Sequence, residues 1–192
     1  GFVLSEINAG YGESDKLSGE ISSDGNGRTV TLAISTLDAT SLLPQEGIAE
    51  DKFQNLIKDV SNRKTSFDLS VSEVKLPKFS AIEMHLKGAS GSGGLSFESI
   101  SAKLPYGSSV FVSGKTEGLF PLAGMDFQAQ VKTTDYALLV KGLDFLPLPK
   151  GSGIHASDIA LHLTGDEGAF GFTFKANADA ALLDMKGQGA KK

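Results

Sequence analysis

The chain has 192 residues, of which 40% are hydrophobic, and this size and composition suit one domain, or two small ones, with a real core. Charged residues make up 21% and the net charge is -5, which argues against the basic surface that a nucleic-acid-binding protein needs. Because the sequence has no cysteine, it can form neither a disulfide framework nor a thiolate metal site.

The N-terminal residues carry no recognisable targeting or membrane segment. Residues 1–4 lack the basic and apolar regions of a secretion signal, and no stretch of the sequence approaches the roughly 20 apolar residues of a membrane-spanning helix. The first residue is a glycine that leads directly into the strand-like run FVLSEI. We therefore expect the chain to be a segment of a longer protein, separated from any anchor or export signal.

Most of the chain consists of short runs in which apolar and polar residues alternate, separated by glycines that stand beside Ser, Asn or Asp. In IEMHLK, for example, alternation predicts that Ile82, Met84 and Leu86 share one face while the polar side chains share the other. Such runs are typical of an antiparallel sheet with one apolar face. The predicted strands are FVLSEI, DKLSGEIS, RTVTLAIST, TSFDLSVSEVKL, FSAIEMHLKG, GLSFESISAKL, SSVFVSGK, MDFQAQVKTT, GIHASDIALHLT and AFGFTFKAN.

Residues 48–61 depart from this alternation. Their apolar residues Phe53, Leu56, Ile57 and Val60 recur at helical spacing, which predicts one amphipathic helix that docks on the sheet. The predicted fold class is therefore mainly β, of the α+β kind: an extended, curved antiparallel sheet with repeated strand units and this single helix. We expect one domain over the whole chain, with a loose division into two halves, 1–118 and 119–192.

Three passages, LAISTLDATSLL, QVKTTDYALLV and TFKANADAALLD, share a strand that runs into an aspartate and then a pair of leucines. The aspartates are Asp38, Asp135 and Asp179. An aspartate at the exit of a strand is a good N-cap for a short helical turn, and the leucines would then return to the apolar face. The passages predict a weak structural repeat.

Residue types that could support catalysis are scarce. His85 and His162 fall at polar-face positions of predicted strands and are interpreted as solvated, and the sequence HASD places His155 beside Ser and Asp without the spatial arrangement that a triad needs. GASGSGG, GSG and DGNGR lack the features of phosphate or calcium loops and are predicted to be hairpin turns. No catalytic, cofactor or metal site is predicted; an enzyme would have to gather Asp158 or Asp166 with His155 or His162.

The order of these features resembles the AsmA family of bacterial envelope proteins, in particular its AsmA-like C-terminal region. A strand ending in LDATSLL leads to the amphipathic helix, then to FDLSVSEVKLPKFSAIEMHLKG, and then to GGLSFESISAKLPYGSSVFVSGKTEG. The recurring strand unit of the family would be carried by residues 67–76, 79–88, 94–104 and 110–114. The stretch from GMDFQAQVKTTDYALLV to AFGFTFKANADAALLDMKGQG is similar to a further copy.

This resemblance implies a location in the bacterial periplasm and an inner-membrane anchor in a segment absent from this chain. It also implies a noncatalytic role in outer-membrane biogenesis, in which a β groove passes phospholipids between membranes, with phospholipid acyl chains and other envelope proteins as partners.

A sheet with one apolar face and a single helix to cover it has apolar surface left for a ligand. The residues expected to face a lipid are apolar positions of the Gly93 to Gly118 hairpin and of the strand before it. Two alternatives remain: a closed structural or protein-interaction β domain of a periplasmic or surface protein, in which these residues form ordinary core, and the enzyme described above. The expected lipid-facing residues are Ile82, Met84, Leu86, Leu95, Phe97, Val110 and Val112.

Overall fold

The structure is a computed structural model. It describes residues 1–11, 15–39, 64–119, 122–136, 138–139, 157–166, 168–178 and 181–190. The predicted amphipathic helix at residues 48–61 lies outside the described residues, as do His155 and the GSG turn at 151–153.

Thirteen strands occupy most of the described residues. Their bounds are β1 Phe2–Tyr11, β2 Asp15–Asp24, β3 Gly27–Asp38, β4 Thr65–Lys75, β5 Ser80–Gly91, β6 Gly94–Leu104, β7 Ser108–Thr116, β8 Gly118–Leu119, β9 Leu122–Ala123, β10 Met125–Thr133, β11 Ser157–Asp166, β12 Ala169–Ala178 and β13 Ala181–Ala190.

Eleven of the described strands form one sheet in the order β1-β2-β3-β4-β5-β6-β7-β10-β11-β12-β13, and β8 and β9 form a separate two-stranded ladder. Strands β1 and β13 lie at opposite edges, so the sheet is not closed. Strands β7 and β10 pair over seven residues, so the ladder continues across residue 118. The prediction of a mainly β fold is confirmed.

One neighbouring pair departs from the predicted antiparallel arrangement. Strands β3 and β4 run parallel, with Val30 opposite Phe67 and Leu32 opposite Leu69. A parallel pair cannot be joined by a tight turn, because the chain must return to the end of the sheet at which the first strand began. The connection from residue 39 to residue 64 provides this return.

Each of the ten predicted strands corresponds to a described strand, although residues 153–156 of the predicted strand GIHASDIALHLT lie outside the described residues, and the turns in DGNGR and GASGSGG lie where they are expected. The β2–β3 turn is held by the Asp24 carboxylate, whose Oδ1 accepts hydrogen bonds from the N–H groups of Asn26 at 2.7 Å and Gly27 at 3.0 Å. At the Pro-Tyr-Gly corner between β6 and β7, Tyr106 and Gly107 have φ values of 60° and 65°. Two successive positive φ values are typical of the tight turns that join twisted hairpin strands.

Of the three aspartate–leucine passages, the second forms the predicted helical turn, and the leucine pair of the first lies outside the described residues. The N–H of Leu138 donates to Asp135 Oδ1 at 2.9 Å, the N–H of Leu139 donates to the Asp135 carbonyl at 3.1 Å, and Leu139 is buried. The third passage is different, because Leu182 and Leu183 lie in strand β13. A helical turn at that position is therefore wrong, and the repeat does not extend to this passage.

The predicted common face of Ile82, Met84 and Leu86 is interrupted. The register of β5 against β6 shifts just after Ile82, where Glu83 has a φ of 52°, a value that an L-residue adopts at a bulge. Ala81 is buried in the core cluster, Met84 packs against that cluster, and Ile82 is 45% exposed. The bulge adds one residue to β5 and so reverses the alternation beyond it. Ala81 therefore shares the apolar face with Met84, and Ile82 does not.

Few apolar side chains are fully buried within the described residues. The buried core cluster consists of Val71, Val74, Ala81 and Ala102, with Ile34, Leu37, Met84, Leu104, Val110 and several others packed against it. It lies along one side of strands β3 to β7. The other apolar residues of this face are partly exposed, as expected for a sheet face that no described element covers.

Removing the cap of the helical turn tests this part of the fold. We expect Asp135→Ala to lower the free energy of unfolding by about 1 kcal/mol, because the Leu138 N–H loses its acceptor. Asn accepts the same hydrogen bond, so Asp135→Asn should retain most of the stability. Urea denaturation measures both variants. Equal losses would mean that the negative charge of Asp135, and not its capping bond, stabilises the turn.

Candidate functional site

The strand register aligns apolar residues of successive strands into two rows that cross the sheet side by side. We name them the phenylalanine row and the leucine row. The phenylalanine row contains Ile21, Val30, Phe67, Gly88, Phe97, Gly114, Phe127, Leu163, Phe172 and Gly187. The leucine row contains Leu32, Leu69, Leu86, Ile100, Val112, Ala129, Leu161, Phe174 and Met185.

In the centre of the phenylalanine row, phenylalanine and glycine alternate from one strand to the next. Gly88 lies between Phe67 and Phe97, and Gly114 lies between Phe97 and Phe127. A Cβ atom on Gly88 would stand 2.8 Å from Phe67 Cε2, and one on Gly114 would stand 2.7 Å from Phe127 Cδ1. Each ring therefore covers the glycine of a neighbouring strand, an arrangement that shields otherwise bare backbone.

The phenyl rings also contact one another across these glycines. The ring centroids of Phe67 and Phe97 are 6.1 Å apart with the planes tilted by 57°, and those of Phe97 and Phe127 are 6.4 Å apart at 41°. Tilted pairs at these separations are favourable because the positive ring edge approaches the negative ring face. The three rings form a continuous apolar floor over strands β4 to β10.

At the end of this floor nearest β1 lies an open groove with a volume of about 650 Å³. A volume of this size is within the range of small-molecule binding sites. Most of its lining is apolar. The lining residues are Phe2, Ile21, Arg28, Val30, Leu32, Thr65, Phe67, Leu69, Leu86, Leu95 and Phe97.

The expected lipid-facing residues separate into three groups. Leu86, Leu95 and Phe97 line the groove. Met84 and Val110 pack against the buried core cluster, at some distance along the strands.

The two remaining expected positions lie elsewhere. Val112 is partly buried in the leucine row, opposite Ile100 and Ala129. Ile82 is exposed and lies opposite Glu73 and Lys103, so the structure does not bring it to the groove.

Sequence reasoning missed the other wall of the groove, which strands β1 to β4 provide. Alternation grouped Val30 with Leu32 and Phe67 with Leu69, but nothing in the sequence indicated that β3 pairs with β4 and so joins the two groups. One signal was available: a glycine inside a strand, such as Gly88, often marks the close approach of a neighbouring group. Here the approaching group is the ring of Phe67.

The polar members of the groove lining lie together at its rim. Arg28 and Thr65 are directly opposite one another on β3 and β4, and the Arg28 N–H donates to the Lys64 carbonyl at 2.9 Å. In the described part of the chain, no ion pair involves the Arg28 guanidinium. The nearby Asp24 already accepts two backbone hydrogen bonds in the β2–β3 turn. The rim therefore offers a cation next to an apolar surface.

The opposite face of the sheet is polar and carries the two described histidines. His85 Nδ1 lies 3.1 Å from Ser70 Oγ, and His162 Nε2 lies 2.7 Å from Asp126 Oδ1. Both are cross-strand contacts between exposed or half-exposed side chains. The histidines thus occupy the polar-face positions that alternation predicted.

Ion pairs bridge the strands on this polar face. Lys87 Nζ lies 2.9 Å from Glu98 Oε2, and Lys103 Nζ contacts Glu83 Oε2 at 2.5 Å. The hydrogen bond from Lys87 to Glu98 and the negative charge of Glu98 raise the pKa of the Lys87 ammonium above its ordinary value. All four side chains are largely exposed, so these pairs contribute little to stability.

The acids considered for a catalytic site have structural partners. Asp158 Oδ1 accepts a hydrogen bond from Gln130 Nε2 at 2.8 Å, and Asp166 Oδ1 accepts one from the backbone N–H that precedes β10 at 2.6 Å. Asp158 and His162 are four residues apart on one strand, which separates their Cα atoms by about 13 Å. Within the described residues, no group of three acidic or histidine side chains is placed to hold a metal ion.

Comparison with known proteins finds no family model, no curated protein and no solved structure that matches this chain. Among the described residues, none of the helical structure has the length and hydropathy of a membrane span.

A methyl group placed beneath a ring tests the phenylalanine row. We expect Gly88→Ala to lower the free energy of unfolding by about 1–3 kcal/mol, because its Cβ would collide with the Ser96 carbonyl and with the Phe67 ring. Gly25→Ala is the matched control, since nothing lies within 4 Å of the added Cβ there, and its effect should stay within about 0.5 kcal/mol. Urea denaturation measures both. Similar values for the two variants would contradict the close ring–glycine contact.

Proposed function

We propose that the groove accommodates the acyl chains of phospholipids, and that the chain is a noncatalytic segment of an AsmA-like protein of the bacterial envelope. In this proposal the protein lies in the periplasm, a membrane anchor lies outside the present sequence, and the segment assists phospholipid passage or outer-membrane assembly. The resemblance of the strand units to the AsmA family supports the location. The groove supports the choice of ligand.

The observation that carries the proposal is an open, largely apolar groove of about 650 Å³ on a sheet that is not closed. Each methylene that leaves water for such a surface gains about 0.8 kcal/mol, whereas one that leaves a bilayer gains almost nothing. A groove of this kind lowers the barrier to the movement of an acyl chain through water without holding the chain tightly. Passage of lipid requires this balance, and it needs no catalytic group.

The rim supports an anionic phospholipid in particular. Arg28 lines the groove beside its apolar residues and lies opposite Thr65. Lys64, which directly precedes Thr65, adds a second positive charge near this rim. An arginine binds a phosphate oxygen pair through two parallel hydrogen bonds. The headgroup would lie at Arg28, and the acyl chains would extend over the phenylalanine and leucine rows.

The first experiment is native mass spectrometry of the protein purified from a bacterial host, with organic extraction to identify bound lipid. We expect copurified phospholipid, and we expect Phe97→Asp to reduce its occupancy by at least about tenfold, because a carboxylate beneath the acyl chain would have to be desolvated. The control is Phe111→Asp, which adds the same charge at a phenylalanine that is 43% exposed and lies outside the groove. Circular dichroism establishes that both variants fold.

Two results would count against the proposal. A lipid-free monomer that ignores added phospholipid would favour a closed structural or protein-interaction module. Equal loss of lipid in Phe97→Asp and Phe111→Asp would place the ligand outside the groove.

Arg28→Glu tests the headgroup without altering the apolar lining. The variant is incubated with vesicles of palmitoyl-oleoyl phosphatidylglycerol and, separately, with vesicles of the phosphatidylcholine that has the same acyl chains. We expect the unmodified protein to take up more phosphatidylglycerol, and we expect Arg28→Glu to reduce that preference by about tenfold or more, because one charge-assisted contact is worth about 1.5–3 kcal/mol. An unchanged ratio between the two lipids would remove Arg28 from the site.

A further inference from the structure

Strand β13 presents a regular edge. It pairs with β12 over ten residues without a register shift, and among the described strands it has no neighbour on its other side. Within the described residues, its outer row of backbone N–H and C=O groups pairs with no strand, and such a row is a template for strand pairing. Three large apolar side chains of this strand are unusually exposed: Leu182 at 75%, Leu183 at 49% and Met185 at 44%.

The opposite edge of the sheet is less suited to pairing. The register of β1 against β2 shifts between Leu4 and Ile7, and Glu6 within that interval has a φ of 57°. A bulge of this kind bends a strand and interrupts its row of hydrogen-bonding groups, which discourages a further strand from pairing there. Of the two edges, β13 is thus the one able to pair along its whole length.

The charges of β13 favour one register for pairing with a second copy of the chain. Suppose that β13 of a second copy pairs with it antiparallel, with the apolar faces of both sheets on the same side. Placing Asp184 or Lys186 opposite its own counterpart would bring like charges together, which is unfavourable. The register centred on Met185 avoids both contacts. It places Met185 opposite Met185 of the second copy at the two-fold axis, and it forms two symmetric pairs of Asp184 with Lys186.

We propose that two copies of this chain associate through antiparallel β13–β13 pairing in this register. Asp184 already lies 3.9 Å from Lys175 on β12, so in the dimer each Asp184 would stand between two lysines. Leu183 would lie opposite Gly187 of the second copy, where no side chain opposes it. An isologous contact of this kind closes after two copies and cannot extend into a fibre.

The dimer would join the apolar rows of the two copies. Because Met185 ends the leucine row, its contact with Met185 of the second copy continues that row from one sheet into the next. The inference does not depend on the nature of the groove ligand, since it rests on the edge, the exposed side chains and the charges of β13.

The test uses charge reversal and sedimentation velocity. The unmodified chain is expected to dimerise reversibly, and Asp184→Lys and Lys186→Asp are each expected to weaken dimerisation by about tenfold or more, because each creates two like-charge pairs across the axis. A mixture of the two single variants is expected to form heterodimers, because both cross-strand pairs are then of opposite charge. Both side chains are exposed, and circular dichroism verifies that each variant folds.

Each of the other outcomes would overturn the proposal. A monomer at several hundred micromolar would rule out the dimer. Single variants that dimerise like the unmodified chain, or that fail to associate when mixed, would rule out the register. Open-ended oligomers would indicate β1–β13 pairing.

A cysteine substitution gives an independent readout, because the sequence has no other cysteine. Met185→Cys should form an intermolecular disulfide under mild oxidation, since the two Cα atoms at the axis would be roughly 4.5–5.5 Å apart. In Gln188→Cys the two cysteines would be about 20 Å apart along the strands and should remain reduced. Equal cross-linking of both variants would contradict the proposed register.

Discussion

A sheet that is one layer thick and apolar on one side must have that side covered, and the arrangement of this chain follows from the need. Where the register of β5 against β6 shifts, Ala81 is buried in one cluster with Val71 and Val74 of β4. Toward β1 the same face opens into the groove. The described residues thus bury this apolar face at one place and leave it open at the groove.

The phenylalanine row is a second response to the same constraint. No described element covers these rings, and the rings of Phe67 and Phe127 lie over Gly88 and Gly114 of the neighbouring strands, where a Cβ atom would collide with them. Ring and glycine therefore stabilise the sheet laterally, from strand to strand, in a way that an ordinary two-layer core does not. The apolar floor that results is low and continuous, as a path for a flexible hydrocarbon chain requires.

Local patterns in the sequence were sufficient for ten of the thirteen described strands, because alternation and glycine position depend only on neighbouring residues; β8, β9 and β13 were not predicted. The patterns failed where a distant partner decides the outcome. Strands β3 and β4 are far apart in the sequence, and no local pattern indicates that they pair. The wall of the groove that β1 to β4 provide could therefore not be predicted. The bulge at Glu83 contains no glycine that could have indicated it in the sequence, and because of this bulge Ile82 does not lie on the predicted apolar face. The leucine pair at 182–183 follows an aspartate, as the pair at 138–139 does, yet pairing with β12 makes it a strand.

The parallel contact between β3 and β4 also has a consequence for how the chain folds. Every other adjacent pair in the sheet is antiparallel, and most of these pairs are joined by short turns, so their ladders can grow from hairpins; the exception is β10 with β11, which residues 134–156 separate. The β3–β4 contact requires residues 39–64 to close a loop before any hydrogen bond rewards the loss of chain entropy. Strands β1 to β3 and strands β11 to β13 should therefore each assemble separately from β4 to β10, and the docking of β3 on β4, which completes the groove, should be a late and slow event.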